Sequence, residues 1–158
     1  MSDKTDGDSP TALADLGLNN FPPYLMNRIM GRYNETIQGE MNALGLSTPK
    51  MRCLAVLAVK DGMLIGELSV LAVVQQSTLS RTLEALVKDK LVLRETDPHD
   101  NRAMRIYITD AGRNLFENLW PRISQSVEQM FTGISADERQ ALVATLHKML
   151  GNTRKHDF

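Results

Sequence analysis

The sequence predicts a mainly α-helical fold with one small β-hairpin, and two observations lead to this expectation. Apolar residues recur every three or four positions over most of the chain, which is the period of a helix with one buried face. The period falls to two in the segments 91–96 and 105–109, which a run of turn-forming residues separates. Helices on both sides of one hairpin are therefore the expected architecture.

Size and composition favour a soluble protein of the cytoplasm. The 158 residues are 42% hydrophobic, yet no apolar run is long enough to cross a bilayer. The first ten residues are polar and acidic, unlike the apolar core of a signal peptide. Cys53 is the single cysteine, which excludes a disulfide within the chain.

Charge is distributed unevenly along the chain, although the formal net charge is only -1. Residues 1–20 hold one lysine against four aspartates, and we predict a disordered or loosely attached acidic arm there. Residues 47–113 hold ten Lys and Arg against eight Asp and Glu. This mildly basic central third weakly favours a polyanionic partner.

Two helices are predicted in the first part of the chain. An apolar stripe runs over residues 21–44, and Gly45 is a suitable stop after it. Thr48 is a suitable N-cap for the second helix, and Pro49 suits a first turn that needs no amide donor. The second helix is expected to end at Gly62, before a short extended piece over 63–65.

The next two helices are short and are joined by a polar turn. Residues 67–74 form the first, and residues 75–77 interrupt the apolar pattern. The second begins near Ser77 or Thr78. Its buried face follows the i, i+4, i+7, i+8 spacing of Leu79, Leu83, Leu86 and Val87. Two short helices around a tight turn constitute a helix-turn-helix.

A hairpin wing follows the helix-turn-helix. Residues 91–96 and 105–109 have the alternation of strands, and Ile106 and Ile108 share one face. Turn formers over 97–102 separate the two strands and give the hairpin a polar, partly basic tip.

Two longer helices complete the predicted fold. Thr109-Asp110 can cap the first, within which Pro121 predicts a kink or a break. A capping box over 135–138 opens the last helix. Gly151 is expected to close it, before a frayed tail over 152–158.

The outward face of the second short helix carries small hydroxyls and one arginine. Such a helix fits a major groove, where arginine bonds guanine and hydroxyls bond phosphates or bases. Its N-terminal residues lie nearest to the base edges, and Thr82 is also expected to face outwards or sideways. The candidates for DNA contact are Gln76, Ser77, Thr78, Ser80 and Arg81. An ordinary solvated helix face is the alternative, although it would usually carry more Glu and Lys.

The tip of the wing supplies further candidates. His99 and Arg102 can reach a phosphate or the minor groove. Asp97 and Asp100 are expected to have a structural role, in which they stiffen the turn. Arg102 suits either role, because it can also pair with these carboxylates.

Residues 68–112 resemble the core of the MarR family of winged-helix regulators. The resemblance rests on Ser77-Thr78-Leu79-Ser80-Arg81, on Asp97-Pro98-His99-Asp100-Asn101-Arg102 and on Ile108-Thr109-Asp110-Ala111-Gly112. The order of the flanking helices extends it to residues 21–150. It implies a winged helix-turn-helix protein that regulates transcription, with a repressor as the expected form. The family often has Arg at the position of His99, and Gly at those of Val73 and Lys90, where we expect altered turn geometry.

The resemblance also implies a homodimer on double-stranded DNA. An N-terminal dimerisation helix over 21–46 and C-terminal dimerisation helices over 113–151 would flank a DNA-binding lobe over 47–112. The two recognition helices would then meet successive major grooves of a pseudo-palindromic operator.

A small aromatic effector is a further implication of the resemblance. It would bind between the dimerisation helices and the DNA-binding lobe, although each of the matching residues alone is more often ordinary core. The matching positions are Tyr33, Ile37, Met51, Phe116 and Trp120.

Three other hypotheses are weaker. A winged-helix protein-interaction module would need exposed aromatic residues on the hydroxyl-rich face. A redox sensor would need Cys53 to be accessible, whereas its apolar neighbours favour a buried small hydrophobe. An enzyme is not expected, because no nucleophile motif, metal-ligand spacing or phosphate-binding loop is found, and no cofactor is predicted.

Overall fold

The computed structural model describes residues 12–158. In chain order the elements are α1 (Leu13–Leu16), a 3-10 turn (Leu18–Asn20), α2 (Pro22–Ala43), α3 (Thr48–Val59), β1 (Met63–Leu64), α4 (Ile65–Leu71), α5 (Gln76–Lys88), β2 (Val92–Thr96), β3 (Met104–Ile108), α6 (Asp110–Met130) and α7 (Ala136–Thr153). The predicted fold class, mainly helical with a small β-hairpin wing, is confirmed.

The chain divides into two compact units after Thr36, within α2. Much of the predicted acidic arm, residues 1–11, lies outside the described residues. The described part of this arm, which was expected to be disordered or loosely attached, contains α1 and the 3-10 turn. The side-chain Nδ2 of Asn20 donates to the carbonyl of Leu16 at 2.9 Å and stabilises the bend between these two short segments.

The second unit, residues 37–158, has one aliphatic core to which α3, α4, α5 and the sheet contribute. Fully burying a side chain of leucine size contributes about 1.5–3 kcal/mol. The core leucines and isoleucines with no more than 1% exposure are Ile37, Leu54, Leu57, Leu68, Leu79, Leu83, Leu86, Ile106 and Leu119. These contacts hold the helix-turn-helix, α4 and α5, in one orientation on the sheet.

The sheet has three antiparallel strands in the order β1-β3-β2. The extended piece predicted over 63–65 contains β1, in which Met63 pairs with Ile106 of β3. In the hairpin, Val92 pairs with Ile108, and Ile106 and Ile108 face the core as predicted. The pairing of β1 with β3 therefore attaches the hairpin of the wing to the rest of the lobe.

Some helix boundaries differ from the predictions at the start of the lobe. Ser47, rather than Thr48, caps α3, because its Oγ accepts the backbone N–H of Lys50 at 3.4 Å. α4 ends at Leu71, three residues earlier than expected, and α5 begins at Gln76. The turn of the helix-turn-helix therefore lies slightly earlier in the chain than its polar residues suggested.

The two C-terminal helices are longer than predicted. α6 continues unbroken through Pro121. Proline has no N–H to bond the carbonyl of Glu117, but this position is exposed, so water can hydrogen-bond that carbonyl instead. The capping box over 135–138 is confirmed at the start of α7. Gly151 does not end α7, which continues to Thr153, because a single glycine tolerates helical angles at a cost of about 1 kcal/mol.

Two non-glycine residues adopt the left-handed conformation at helix ends. Val73 has φ 53° after α4, and Lys90 has φ 59° after α5. In each case the N–H of the following residue donates to the carbonyl five residues before it, at 3.0 Å for Val74 to Ser69 and 2.9 Å for Leu91 to Leu86, which is the bond of a Schellman motif. The expectation of altered turn geometry was therefore wrong. The left-handed turn that glycine usually forms is kept, and Val73 and Lys90 adopt its strained backbone conformation.

We expect Val73→Gly to stabilise the protein by about 1 kcal/mol, because it relieves a left-handed β-branched residue. Little burial is lost, since Val73 is 74% exposed. Urea unfolding measures the change. The matched control is Val59→Gly, since Val59 is 90% exposed and has helical angles; it should destabilise by about 0.5 kcal/mol. A loss of stability in Val73→Gly would contradict the strain argument.

Candidate nucleic-acid interface

The five candidate residues of α5 lie on its exposed side, within the first two turns. Gln76, Ser77, Thr78, Ser80 and Arg81 are all exposed. Leu79 and Leu83, on the other side of the helix, are at most 1% exposed. Since the core holds the apolar side of α5, the polar side must project from the lobe as one continuous surface.

Thr82 does not belong to this surface, contrary to the expectation that it faces outwards or sideways. It is only 7% exposed, and its Oγ1 donates to the carbonyl of Thr78 at 2.8 Å. The hydroxyl is satisfied within the helix, so Thr82 contributes to packing rather than to a contact surface.

A groove of about 340 Å³ runs beside Arg81, between the first turns of α3 and α5. Ser47 and Pro49 line one side, and Ser77 and Thr78 line the other. The first turns of helices carry free N–H groups and partial positive charge, which suit a phosphate. Ser47 is a contact candidate that the sequence analysis missed, although its place before a proline-containing helix start was a usable signal.

The tip of the wing is held by its own carboxylates. Asp97 Oδ1 accepts the backbone N–H groups of His99 at 2.8 Å and Asp100 at 3.0 Å. Asp100 Oδ1 accepts the N–H of Arg102 at 2.9 Å. The carboxylates thus bond the backbone of the tip rather than the Arg102 side chain. His99 and Arg102 are left exposed.

Among the described residues, the two arginines proposed for DNA contact, Arg81 and Arg102, form no ion pair. Both guanidinium groups remain available for a phosphate or a base edge.

Arg105 anchors the wing, a role that the sequence analysis did not assign. Its Nε bonds Asp97 Oδ2, and its Nη1 donates to the carbonyl of Gly62 at 2.7 Å. Arg105 pairs with Glu95 across the hairpin, so Asp97, two residues further along, is its diagonal neighbour. The charged pair therefore joins the wing to the turn that precedes β1.

Asp97 should make the stability of the wing depend on pH. The N–H of His99 first, and also Arg105 and the N–H of Asp100, hold the pKa of its carboxyl below the ordinary value. A carboxylate with a lowered folded pKa stabilises the protein above its unfolded pKa of about 3.9 and loses this effect as pH falls through the folded pKa.

We therefore expect Asp97→Asn to lower the urea midpoint at pH 7. The difference from wild type should shrink as the pH falls from about 5 towards the folded pKa of Asp97. Urea unfolding at several pH values measures it. Asp100→Asn, a change at a carboxylate that Arg105 does not contact, is the control and should have the smaller effect. A difference that is independent of pH would show that the carboxylate charge is not responsible.

The residues expected around an effector have mixed surroundings. Ile37 and Met51 are core residues with 1% and 7% exposure. The rings of Phe116 and Trp120 lie 6.3 Å apart on α6, and Trp120 is 53% exposed. Tyr33 belongs to the first unit. Among these residues, Phe116 and Trp120 are the pair whose rings lie close together and are partly exposed to solvent.

Cys53 is fully buried in α3. Burial raises the pKa of its thiol to about 11, so the reactive thiolate is scarce at neutral pH. This environment argues against the redox-sensing hypothesis.

Over 12–158, no group of three or more His, Cys, Asp or Glu side chains is arranged to hold a metal ion. The helices of the same residues are all too short or too polar to cross a membrane.

Known proteins share both the sequence pattern and the fold. The model of the MarR family matches residues 44–103. A MarR-family transcriptional regulator from Silicibacter pomeroyi is 55% identical, and its crystal structure aligns over 93% of this chain and 99% of that chain with a TM-score of 0.88. The HTH-type transcriptional repressor IacR of Pseudomonas putida is 27% identical over 131 residues, which are 83% of this chain and 76% of that protein.

A third similar protein is known with a regulatory ligand. The structure of Bordetella bronchiseptica BpsR comes from a study of how 6-hydroxynicotinic acid regulates its DNA binding. BpsR is 26% identical, and the alignment covers 80% of this chain and 96% of that chain with a TM-score of 0.69.

Proposed function

Because the chain belongs to the MarR family of transcriptional regulators, we propose that it is a cytoplasmic repressor that binds a pseudo-palindromic operator as a homodimer. One observation carries this proposal: the exposed polar face of α5 and the exposed His99 and Arg102 of the wing belong to one lobe. α5 enters the major groove, where Arg81 bonds a guanine edge. His99 and Arg102 contact the phosphates or the minor groove beside it.

α7 supports the homodimer through its apolar face. All eighteen of its residues are described, and none is buried. Leucine, valine and methionine recur along one side with exposures of 37–59%, at Leu142, Val143, Leu146, Met149 and Leu150. A contiguous apolar face of this kind on a soluble protein usually marks an interface. Its periodic spacing fits a second helix, and a second copy of the chain supplies one.

α2 carries a comparable face within the first unit. Leu25, Ile29 and Met30 are 39%, 48% and 45% exposed. The spacing of Leu25 and Ile29 places them on the same side of the helix. A dimer formed through α2 and α7 would cover both faces, as predicted for the segments 21–46 and 113–151.

The dimer is tested by sedimentation of the full chain with Leu146→Glu. A charge in the apolar face should convert the dimer to monomer and reduce operator affinity. Val59→Glu is the matched control, because Val59 is exposed but lies outside that face, and it should remain dimeric. A monomeric wild type, or a dimeric Leu146→Glu variant, would contradict the proposed interface.

DNA binding is tested by selection from a random pool of duplexes. We expect an inverted repeat with half-sites about ten base pairs apart, one helical turn. Binding should weaken steeply with salt, because the phosphates release counterions. Weak binding without an enriched sequence would contradict the proposal and favour the interaction-module hypothesis.

Regulation by a small aromatic effector is the second part of the proposal. BpsR provides the precedent, and Phe116 with Trp120 provides an accessible aromatic surface. The effector must bind the DNA-incompetent arrangement of the lobes better than the competent one. 6-Hydroxynicotinic acid is the first probe: release of the selected operator supports the proposal, and unchanged operator affinity excludes this compound as the effector.

A further inference from the structure

Helix α3 reaches both ends of α5 through two long cationic side chains. Lys50 Nζ lies 2.9 Å from Oδ2 of Asp89, which is the C-cap of α5. Arg52 Nη1 donates to the carbonyl of Val73 at 3.2 Å, in the turn that precedes α5. Residues two apart on a helix are rotated by about 200° around its axis, so these two side chains leave α3 in nearly opposite directions. Polar contacts therefore join α3 to each end of α5.

Neither helix by itself favours the charges of the Lys50–Asp89 pair. Lys50 lies in the first turn of α3, where free N–H groups favour an acidic residue. Asp89 lies at the end of α5, where free carbonyls favour a basic residue. The side chain of Lys50 is 18% exposed and that of Asp89 is 47% exposed, so the pair is partly shielded from salt. The attraction between the two helices therefore offsets an unfavourable charge at the end of each one.

Arg52 bonds the turn of the helix-turn-helix at its strained residue. Val73 has φ 53°, in the left-handed region that a β-branched side chain rarely adopts. Rotation of this residue towards a relaxed conformation would swing its carbonyl away from Arg52 and break the bond. The direction in which the chain enters α5 depends on this turn, since α5 begins at Gln76, three residues later. The bond from Arg52 therefore opposes a change in that direction.

We propose that Lys50 and Arg52 are positioning residues, which fix the tilt of α5 on α3 and thereby set the selectivity for the operator. The inference rests on the proposed function, in which α5 contacts the bases. Base contacts require the side chains to be placed to within about 0.5 Å and about 10–20°. Binding to phosphates depends on charge and tolerates a change of tilt. Loosening either end of α5 should therefore reduce operator affinity more than random-duplex affinity.

Asp89→Asn distinguishes positioning from a simple effect of charge. Removing a carboxylate near DNA raises the affinity for every duplex, because DNA is a polyanion. Positioning predicts the opposite sign for the operator: the ratio of operator affinity to random-duplex affinity should fall about fivefold or more in the homodimer. Titration of the full chain with labelled operator and random duplexes at one salt concentration measures this ratio. Arg52→Met, which removes the donor and keeps an unbranched side chain, should lower it by a similar factor.

Exchange of the two charges provides a rescue experiment. Lys50→Asp alone should lower the ratio further than Asp89→Asn, because it brings two carboxylates together. Lys50→Asp combined with Asp89→Lys should restore the ratio at an unchanged net charge. Lys88→Gln is the matched control, because Lys88 is an exposed cation at the same end of α5 and, within residues 12–158, forms no ion pair. It should weaken binding to both duplexes by one factor, which leaves the ratio unchanged.

A measurement without DNA tests the inference independently of the proposed function. Residual dipolar couplings of the backbone amides of α3 and α5 report the angle between the two helices. Asp89→Asn and Arg52→Met should change the couplings of α5 relative to those of α3, and Lys88→Gln should not. An unchanged angle in both variants, or a ratio that rises in Asp89→Asn, would overturn the inference. A wild type that prefers no duplex would refute the proposed function, and the couplings would still decide whether Lys50 and Arg52 position α5.

Discussion

Replacing Arg81 by alanine should reduce operator affinity by about 1–3 kcal/mol for each recognition helix, and by about twice that in a homodimer. The guanidinium is exposed on α5 and, within residues 12–158, forms none of the ion pairs. Its removal should therefore leave the thermal midpoint and the dimer unchanged. Because a lost base contact affects specific binding most, the ratio of operator affinity to random-duplex affinity should also fall.

Titration of labelled operator and random duplexes at one salt concentration measures both quantities. Lys60→Ala is a suitable control, because Lys60 caps the end of α3 opposite the groove that Arg81 lines. It should change the two affinities little and by the same factor. An Arg81→Ala protein with full operator affinity would show that α5 is not the recognition helix.

Replacing Gly112 by alanine should destabilise the second unit by at least about 1–3 kcal/mol. A Cβ at this position would lie 2.1 Å from the carbonyl oxygen of Leu91 and 3.0 Å from Cγ1 of Ile108. The nearest atom belongs to the backbone, which is itself held by the N–H of Thr109 at 3.0 Å. Either the start of α6 or the start of the hairpin must move, and operator affinity should fall with the displaced wing.

Gly66→Ala is the matched comparison for this substitution. Gly66 lies in α4 of the same unit, and a Cβ there would meet nothing within 4 Å. Removing a helical glycine should stabilise by up to about 1 kcal/mol. Thermal and urea unfolding of the two variants should therefore shift in opposite directions. Equal shifts of the unfolding midpoints would show that the nearby carbonyl of Leu91 is not the reason for glycine at position 112.

Most elements of the fold follow from local signals in the sequence. The core side of α5 is evident from the spacing of Leu79, Leu83 and Leu86, and the structure buries all three. The hairpin followed from two segments in which apolar and polar residues alternate, with turn-forming residues between them. Such patterns work because each helix or strand must turn its apolar side to the core. The same argument identified the exposed face of α5.

Other features could not be predicted, because they depend on residues distant in sequence. The strand β1 has only two residues, and pairing with Ile106 is what makes it a strand. The left-handed angles of Val73 and Lys90 contradict their intrinsic preferences and are imposed by the closing bonds of the turns. Thr82 lies at the edge of the apolar stripe, where only packing decides whether a side chain is covered.

The sequence by itself determined the order and type of the main elements, the family and the polar face that we assign to DNA. These properties are encoded in periodicity and in short motifs, which need no knowledge of distant contacts. Only the tertiary structure decided that Arg105 joins Asp97 to the Gly62 carbonyl, and that Ser47 and Arg81 line one groove. The physical reason is that hydrogen bonds and cavities arise between segments, and their partners become neighbours only when the chain has packed.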